Sequence, residues 1–364
     1  MTRTPPLAEA GAWDAFVAEN ELGSYLQRTA WARVKAANGW TSGRVVAGGA
    51  TPIGAQVLLR RPRPLPWAFA YAPRGPVATA WTAASLGAFT EALRLAPLGR
   101  VSHVRIDPEV ERDGPLDPAG SLREILADAG WRAAPPIQPP STRVIDLAAD
   151  EAALWSDLRK KWRQYVNKAR SNGVTIVELP GDPIGPFYTI YRETASRAGF
   201  LIRVEQAYRD VWEAYRPSGD ATMLFAMDAG GTPQAALFLV RNGRRVVEPY
   251  GGMTGAGAEL RANYLLKWEA IRRAREAGAT TYDLWGLAHP GIAHFKTGFG
   301  GREVRFIGAW DLVLSGLGRR IYFTAQGLRV GRARRRAGLA AAGAPGLSGV
   351  DDGATAPGMD SDAG

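Results

Sequence analysis

The chain has 364 residues, enough for two domains of ordinary size, and its 46% hydrophobic and 22% charged residues are typical of a soluble globular protein. It has no cysteine and only three histidines, which excludes disulfides, thiolate zinc sites, iron–sulfur clusters and a cysteine acyl-enzyme. A net charge of +10 favours an anionic partner: nucleic acid, a phosphate compound or an acidic membrane face. The sequence shows neither a signal-like N-terminus nor an apolar run of membrane length, and therefore predicts a soluble cytoplasmic protein.

Residues 1–147 alternate short apolar runs with helical patterns, which predicts a first, self-contained α/β domain. Asn38-Gly39 ends its first helix and Gly130 ends its last. The predicted elements are a helix over 26–37, strands over 44–47, 53–59 and 67–71, a helix over 81–95, a strand over 101–106, a helix over 121–129 and a strand over 143–147.

Residues 148–318 predict a second α/β domain that begins with a long basic helix. Asp150 is a suitable N-cap, and Leu154, Leu158 and Trp162 form one apolar stripe of a helix over 151–171. Asn242-Gly243 predicts a hairpin turn further along the chain. The other predicted elements are strands over 174–178, 222–227, 234–240, 244–250 and 280–285, and helices over 187–198, 205–215 and 259–277.

Residues 319–364 form a C-terminal segment of different composition. Seven arginines and no acidic residue lie within 319–336, at a spacing compatible with a helix. This stretch is amphipathic enough to lie on an anionic membrane, but it also suits the phosphates of tRNA, and a solvated basic face is the plain alternative. The rest is rich in Ala, Gly, Pro and Asp, which predicts a disordered tail.

The common catalytic motifs are missing: the sequence has no phosphate-binding loop, dinucleotide fingerprint, zinc-protease helix or serine nucleophile elbow. One turn is close to a known pattern. Acyl-CoA N-acetyltransferases bind pyrophosphate through a Gln/Arg-x-x-Gly-x-Gly/Ala turn between a strand and a helix. Residues 252–257 occupy such a turn, but Gly252 replaces the Gln or Arg. The sequence therefore predicts an acetyltransferase-like fold whose CoA site has been lost or reused.

Several fragments, in chain order, carry a resemblance that spans about 13–314. They are Ser24-Tyr25-Leu26-Gln27 with Trp31, Lys35 and Trp40; residues 160–173; Thr194, Arg197, Phe200, Arg203 and Tyr208; 263–269 (Asn-Tyr-Leu-Leu-Lys-Trp-Glu); 282–286 (Tyr-Asp-Leu-Trp-Gly); and 295–301 (Phe-Lys-Thr-Gly-Phe-Gly-Gly). Together they resemble the FemABX aminoacyltransferases, and the chain is most similar to the short, FemX-like type.

The resemblance implies an α/β (α+β) fold with two tandem GNAT-like (acyl-CoA N-acyltransferase-like) domains. It also implies transfer of an amino acid from aminoacyl-tRNA to the side-chain amine of the peptidoglycan stem peptide, which builds the interpeptide bridge. Some members carry a helical arm in the second domain, for which this chain has too few residues between Gly199 and Leu224. Aminoacyl-tRNA is then a co-substrate, and neither a cofactor nor a metal is expected.

The residue chemistry is compatible with that activity. Aminolysis of a tRNA ester requires a neutral amine, stabilisation of the oxyanion and binding of two polyanionic substrates. A chain without cysteine or a serine elbow suits direct attack, and its basic charge suits tRNA and a UDP-linked or lipid-linked precursor.

Three residues are candidates for the reaction itself, each with a plainer alternative. Lys296 lies where a cation could meet the oxyanion or the tRNA 3′ end, although it could be an ordinary surface lysine. Phe295 could stack on the terminal adenine or fill the core. Asp107 matches a base proposed for the family, but a turn-forming aspartate is equally compatible with its place before Pro108.

Four residues are candidates for binding the precursor. Lys35 and Arg203 resemble the family's contacts to its phosphates, with a solvated charge as the alternative. Tyr208 and Tyr250 are candidates for lining the peptide channel, with core packing as the alternative.

Two other functions are compatible with the sequence: a CoA-dependent N-acyltransferase, which Gly252 disfavours, and a non-catalytic module that binds tRNA or an envelope precursor. Glycine is the expected amino acid, with alanine or serine next. The sequence leaves four points open: the acceptor's diamino acid, whether the acceptor is soluble or lipid-linked, the oligomeric state, and whether the role is housekeeping, resistance or natural-product synthesis. The expected location is the cytoplasm, with contact at the inner membrane face through 319–336.

Overall fold

The computed structural model describes residues 7, 9–49, 51–117, 119–287 and 290–336; within the last helix the side chains of 326 and 329–336 are not described. The tail predicted to be disordered, 337–364, lies outside these residues.

The first sheet has seven strands and lies mainly in the N-terminal part of the chain. Its spatial order is β1-β2-β3-β5-β14-β6, with β4 paired to β2. Only β3 and β5 are parallel neighbours. The strands are β1 (Thr41–Ala47), β2 (Ile53–Arg60), β3 (Ala68–Ala72), β4 (Val77–Ala78), β5 (Val101–Ile106), β6 (Trp131–Ala134) and β14 (Ala309–Val313).

The second sheet also has seven strands, in the spatial order β13-β7-β12-β11-β10-β9-β8. Its one parallel pair is β11 with β12. The strands are β7 (Ser141–Asp146), β8 (Thr175–Val177), β9 (Ala221–Met227), β10 (Pro233–Asn242), β11 (Arg245–Met253), β12 (Thr281–Asp283) and β13 (Arg302–Arg305).

Twelve α-helices accompany the sheets in the described residues. They are α1 (Ala10–Glu19), α2 (Thr29–Ala36), α3 (Ala83–Leu95), α4 (Leu122–Asp128), α5 (Glu151–Asp157), α6 (Lys160–Ser171), α7 (Ile184–Ala198), α8 (Glu205–Tyr215), α9 (Gly255–Glu259), α10 (Ala262–Glu276), α11 (Pro290–Thr297) and α12 (Gly316–Arg336).

The two sheets do not divide the chain at residue 147, where the sequence predicts the domain boundary. Strand β7, N-terminal to that boundary, pairs with β12 and β13 of the second sheet. Strand β14, far beyond it, pairs with β5 and β6 of the first sheet. Each sheet therefore contains one strand from the other side of the predicted boundary. The two halves of the chain are thus linked by main-chain hydrogen bonds within both sheets.

The helix predicted over 151–171 is wrong as one element, because the chain bends at Leu158. Leu158 has an extended ψ of 138° and separates α5 from α6. The main-chain N–H of Arg159 donates to the carbonyl of Gly298 at 2.9 Å instead of continuing the helix. The apolar stripe of Leu154, Leu158 and Trp162 continues across the break, so the sequence pattern gives no sign of it.

A hydrophobic core lies against each sheet, and a third joins them. The third core contains Phe69 and Tyr71 of the first sheet together with Phe225 and Phe238 of the second, and helices α2 and α8 pack together within it. The two domains therefore share buried apolar surface rather than meeting only through polar contacts.

No helical arm interrupts the second domain. Between Gly199 and Leu224 the chain forms α8, a short 3-10 turn and the start of β9, which leaves no room for an inserted arm, as the sequence predicts. Along the described ranges, no helix combines the length and apolar character needed to cross a bilayer.

Candidate functional site

The two parallel strands of the second sheet stop pairing beyond Val247, and we call the region between them past this point the β11–β12 cleft. Strand β12 pairs with β11 only at Arg245, Val246 and Val247, whereas β11 continues to Met253. The chain after β12 carries Trp285 and Gly286 into this region, and α11 follows with Phe295 and Lys296. The fold therefore brings the separate fragments around residues 248, 285 and 296 to one place.

Lys296 is held at the end of β12 by two main-chain carbonyls. Its Nζ donates to Trp285 O at 2.9 Å and to Gly286 O at 2.8 Å. Burial lowers the pKa of Lys296 to about 8; Glu248 and Asp283 raise it and Lys267 lowers it further. Lys296 is thus an oriented, partly buried cation rather than the ordinary surface lysine that the sequence left open.

A second lysine lies deeper in the same cleft. Lys267 is 1% exposed, and its Nζ donates to Glu248, whose other carboxylate oxygen accepts from Tyr282 Oη at 2.8 Å. Burial lowers the pKa of Lys267, which Glu248 opposes. A buried charge of this kind needs its partner, so removal of Glu248 alone would leave Lys267 uncompensated.

Phe295 packs against the core of the second domain. Its ring lies 5.1 Å from that of Tyr264 and 5.2 Å from that of Phe299, both edge to face. Its carbonyl accepts from the indole N–H of Trp162 at 3.0 Å. These contacts support the packing interpretation of Phe295, and stacking on an adenine stays a prediction.

The glycine after this segment is required by close packing. A Cβ on Gly298 would lie 2.3 Å from the indole ring of Trp162, closer than any real contact. The small residue thus lets α11 approach α6, which explains in physical terms why glycine follows Lys296 at this spacing.

A buried ionic network lies beside the cleft and crosses the two domains. Arg245 donates to Glu109, which follows β5, and to Asp283, which ends β12. Asp283 also accepts from the main-chain N–H of Trp285 at 2.7 Å. Its carboxylate thereby fixes the loop whose carbonyl groups hold Lys296.

Asp107 is buried on the first-domain side of this network. Its carboxylate accepts from Tyr71 Oη at 2.7 Å and from the main-chain N–H groups of Arg74 at 2.6 Å and Gln138 at 3.2 Å. Burial raises its pKa to about 6, against the lowering effect of Arg74 and of these hydrogen bonds. The geometry supports the turn-forming interpretation directly, and a role as base stays a prediction.

Arg74 connects Asp107 with the loop that holds Lys296. Its guanidinium lies 5.1 Å from the Trp285 ring centroid and 4.5 Å from that of Phe306. Its Nε is 3.2 Å from Glu109 Oε1. Asp107 and Lys296 are therefore connected through two residues: Arg74 donates to Asp107 and lies over the Trp285 ring, and the Trp285 carbonyl accepts from Lys296.

The predicted precursor-binding tyrosines come together in an aromatic cluster. The rings of Tyr208 and Tyr250 are 5.1 Å apart, and Tyr191 lies 5.5 Å from the first and 6.2 Å from the second. Arg203 is adjacent, since its main-chain N–H donates to Tyr208 Oη at 3.2 Å. Burial raises the pKa values of Tyr191 and Tyr208, and the charge of Arg203 opposes this. Tyr208 is only 3% exposed, so it contributes mainly packing, whereas Tyr250 is partly exposed.

Lys35 lies on α2, in the third core, and is not a solvated charge. It is 4% exposed, and its Nζ lies 4.8 Å from the Trp31 ring centroid. Helix α2 packs against α8, which carries Tyr208. Lys35, Tyr208 and Tyr250 thus belong to one region, and their contacts to a precursor stay predictions.

A basic, aromatic groove next to α11 was not predicted as a site. It encloses about 480 Å³ and is lined by Arg159, Lys161, Trp162, Tyr165, Tyr264 and His294. Arg261 also lies over the Tyr165 ring, at 4.6 Å. In the sequence, Arg159 and Lys161 appear only as polar residues of one predicted helix. The bend at Leu158 that positions Arg159 depends on the carbonyl of Gly298, which is distant in sequence.

The turn at 252–257 is occupied by the protein's own groups. The carboxylate of Glu193 accepts from the N–H of Gly255 at 2.7 Å, at the start of α9. A Cβ at residue 252 would lie 2.4 Å from Thr194 Oγ1, so no larger side chain fits there without a shift. The groups that would hold a pyrophosphate in an acetyltransferase are therefore engaged with Glu193 and Thr194.

The described residues contain no group of three or more His, Cys, Asp or Glu side chains arranged to hold a metal ion.

Comparisons with known proteins agree with this architecture. The FemAB family matches residues 9–113, and an acetyltransferase (GNAT) domain matches 156–297. A lipid II:glycine glycyltransferase of Staphylococcus saprophyticus is 29% identical over 219 residues, covering 58% of this chain and 53% of that protein. The enzyme of the same name from Staphylococcus aureus is 27% identical over 217 residues, covering 58% and 52%. The matched region thus spans about half the length of these relatives.

The crystal structure of FemX superposes on 87% of this chain and 98% of its own with a TM-score of 0.78, at 21% sequence identity. The likeness at that identity concerns the fold: two GNAT-like domains in tandem. Residues 9–113 thus match the FemAB family, and the chain is similar in fold to FemX and in sequence to lipid II:glycine glycyltransferases.

Proposed function

We propose that this protein is an aminoacyltransferase that moves an amino acid, glycine by preference, from aminoacyl-tRNA to the stem-peptide side-chain amine of a peptidoglycan precursor. The observation that carries the proposal is Lys296, whose Nζ is held by the carbonyls of Trp285 and Gly286 just beyond the end of β12. The glycyltransferase names of its relatives support the substrate class.

The reaction forms an amide and releases the tRNA. The neutral amine attacks the ester carbonyl, a C–N bond forms, and the C–O bond to the ribose breaks. The amine loses one proton and the ribose oxygen gains one. The ammonium of Lys296 stabilises the negative charge that develops on the carbonyl oxygen, a preorganised interaction worth roughly 10²- to 10³-fold in rate. Asp107, ionised above its pKa of about 6, is the proposed acceptor of the amine proton.

The groove of Arg159, Lys161, Trp162, Tyr165, Tyr264 and His294 is the proposed site of the tRNA 3′ end. Aromatic faces stack bases without regard to sequence, and the cations attract phosphates. The groove adjoins α11, because Trp162 bonds to the carbonyl of Phe295, the residue before Lys296. A nucleotide in the groove would thus bring its aminoacyl ester towards Lys296.

The acceptor is proposed to bind beside the third core, at the aromatic cluster where Tyr250 is partly exposed. Lys35 and Arg203 supply cations for its phosphates, and Tyr208 and Tyr250 line the path of the peptide. The acceptor would then approach Lys296 from the side of Trp285, which packs against this core.

CoA-dependent acyl transfer is the second candidate, and the turn at 252–257 disfavours it. Glu193 occupies the N–H of Gly255, and a carboxylate there repels a pyrophosphate. Two reactions with the same muropeptide acceptor separate the candidates, one supplied with glycyl-tRNA and the other with acetyl-CoA. The proposal predicts product only with glycyl-tRNA. Product only with acetyl-CoA would reverse the assignment, and product with neither donor would favour the non-catalytic binding module.

A further inference from the structure

Helix α12 is anchored to the first domain through its initial turns. The Tyr322 ring stacks 5.1 Å from that of Phe69, and the Phe323 ring stacks 5.4 Å from that of His103. Arg319 Nη2 lies 3.0 Å from Asp311 Oδ2 on β14. These contacts fix the initial turns of α12 against the first sheet.

The outer side of the anchored part is both apolar and basic. Leu317 is 63% exposed and Leu328 is 59% exposed. Eleven residues of an α-helix are close to three full turns, so these two leucines lie on one side of α12. Arg320 and Thr324 are exposed between them. Exposed leucines next to a basic residue on one side are characteristic of a helix that lies in a membrane interface.

The second half of the helix adds charge of a single sign. The sequence places arginines at 329, 332, 334, 335 and 336, and no acidic residue anywhere in α12. A cluster of four to eight basic residues is a recognised signature of attraction to anionic lipid headgroups. RNA phosphates would attract the same charge, so charge alone does not distinguish RNA from a membrane as the partner. The position of α12 in the fold has to decide between them.

That position favours a membrane. Helix α12 packs against β5 of the first sheet, whereas the groove proposed for RNA lies beside α6 and α11 of the second domain. Tyr322 also packs against the third core, which contains Tyr208 and Tyr250, the residues proposed to meet the acceptor. The initial turns of α12 therefore lie beside the region proposed to bind the acceptor.

We infer that α12 binds the anionic surface of a phospholipid bilayer and so holds the acceptor side of the protein against the membrane. This inference rests on the proposed function in one respect, that the acceptor is lipid-linked. The arginines at 329, 332, 334, 335 and 336 supply the electrostatic attraction, and Leu317 and Leu328 enter the interface.

Vesicle sedimentation with the full chain tests the inference. The vesicles contain phosphatidylcholine with or without phosphatidylglycerol, at low and at high salt. One variant replaces the arginines at 329, 332, 334, 335 and 336 with Gln. A matched variant removes the same charge from exposed arginines elsewhere, namely Arg61, Arg112, Arg123, Arg192 and Arg244. The α12 variant should bind anionic vesicles at least about tenfold more weakly than wild type, and the matched variant should stay within about twofold.

Leu328→Asp should also weaken vesicle binding without unfolding the protein, because the side chain is exposed. Equal losses in the two arginine variants, or none in the α12 variant, would overturn the inference. So would an α12 variant that keeps vesicle binding but loses tRNA affinity with a flatter salt dependence. Sedimentation needs no turnover, so a failure of the proposed activity would show separately, as lack of transfer to a soluble UDP-linked acceptor by the wild-type protein.

Discussion

Lys296 and Trp285 are joined by a hydrogen bond of 2.9 Å from the ammonium of the first to the main-chain carbonyl of the second. The indole ring of Trp285 faces the guanidinium of Arg74, from the other domain, at 5.1 Å. Trp285, whose backbone is in the left-handed region with φ of +57°, thus contacts both the candidate catalytic Lys296 and Arg74 of the first domain. The position of Lys296 therefore depends on both domains.

Replacement of Lys296 by alanine should lower the rate of transfer by roughly 10²-fold or more, the scale expected for loss of one oxyanion donor. Thermal unfolding should show a folded protein, and Lys168→Ala, which removes an exposed lysine from α6, should keep most of the activity. Turnover near the wild-type rate in Lys296→Ala would remove this residue from the mechanism.

The pH dependence of kcat/KM should be bell-shaped. Activity should rise through about pH 6 as Asp107 ionises, because burial raises its pKa to about that value. It should fall through about pH 8 as Lys296 loses its proton, because burial lowers its pKa to about 8. Nearby charges modify these effects of burial: Arg74 lowers the pKa of Asp107, whereas Glu248 and Asp283 raise that of Lys296 and Lys267 lowers it.

Two variants identify the limbs of this profile. Lys296→Arg keeps its charge at high pH and should lose the basic limb, whereas Asp107→Asn cannot ionise and should lose the acidic limb. The acceptor amine titrates alike in every variant, so the differences between profiles report the protein's own groups. A basic limb that persists unchanged in Lys296→Arg would mean that another group titrates there.

Replacement of Tyr165 by alanine should weaken binding of the tRNA acceptor end by at least about fivefold, since stacking of one base on an aromatic ring contributes about 1–3 kcal/mol. Tyr165→Phe keeps the ring and should bind nearly as the wild type does. The measurement is a fluorescence titration with an acceptor-stem RNA at fixed salt. If both variants bind as tightly as wild type, the groove is not the RNA site.

Replacement of Arg203 by alanine should raise the KM for the precursor while kcat changes little, because contacts to phosphate bind the ground state and the transition state alike. Lys35→Ala should raise the same KM, but it should also lower the melting temperature, since Lys35 is buried against Trp31. Arg203→Ala is the more specific test, and an unchanged KM in that variant would show that Arg203 does not bind the precursor.

Local signals in the sequence predict individual elements well. The strand predicted over 101–106 and the helix over 205–215 are confirmed with the same bounds, and the lack of an inserted arm is confirmed as well. Each of these follows from residues close in sequence: an apolar run, an amphipathic period or a short connection.

Features that depend on distant contacts were not predictable in the same way. The break at Leu158 requires the carbonyl of Gly298, and β14 joins the first sheet only because the chain returns there late. The network of Glu109, Arg245 and Asp283 combines three separate segments. Lys296 was predicted because 295–301 resembles a FemABX motif, whereas the groove around Tyr165 carries no motif and became visible only in the fold.

The most direct test of the account is the mass and the modification site of the acceptor after reaction. The wild-type protein is incubated with glycyl-tRNA and a muropeptide precursor, in lipid-linked and in UDP-linked form, beside Lys296→Ala. The account predicts a gain of one glycine, located by fragmentation on the stem-peptide side-chain amine, dependent on charged tRNA and greatly reduced in the variant. An acceptor that gains no mass with charged tRNA, or one modified equally by Lys296→Ala, would contradict it.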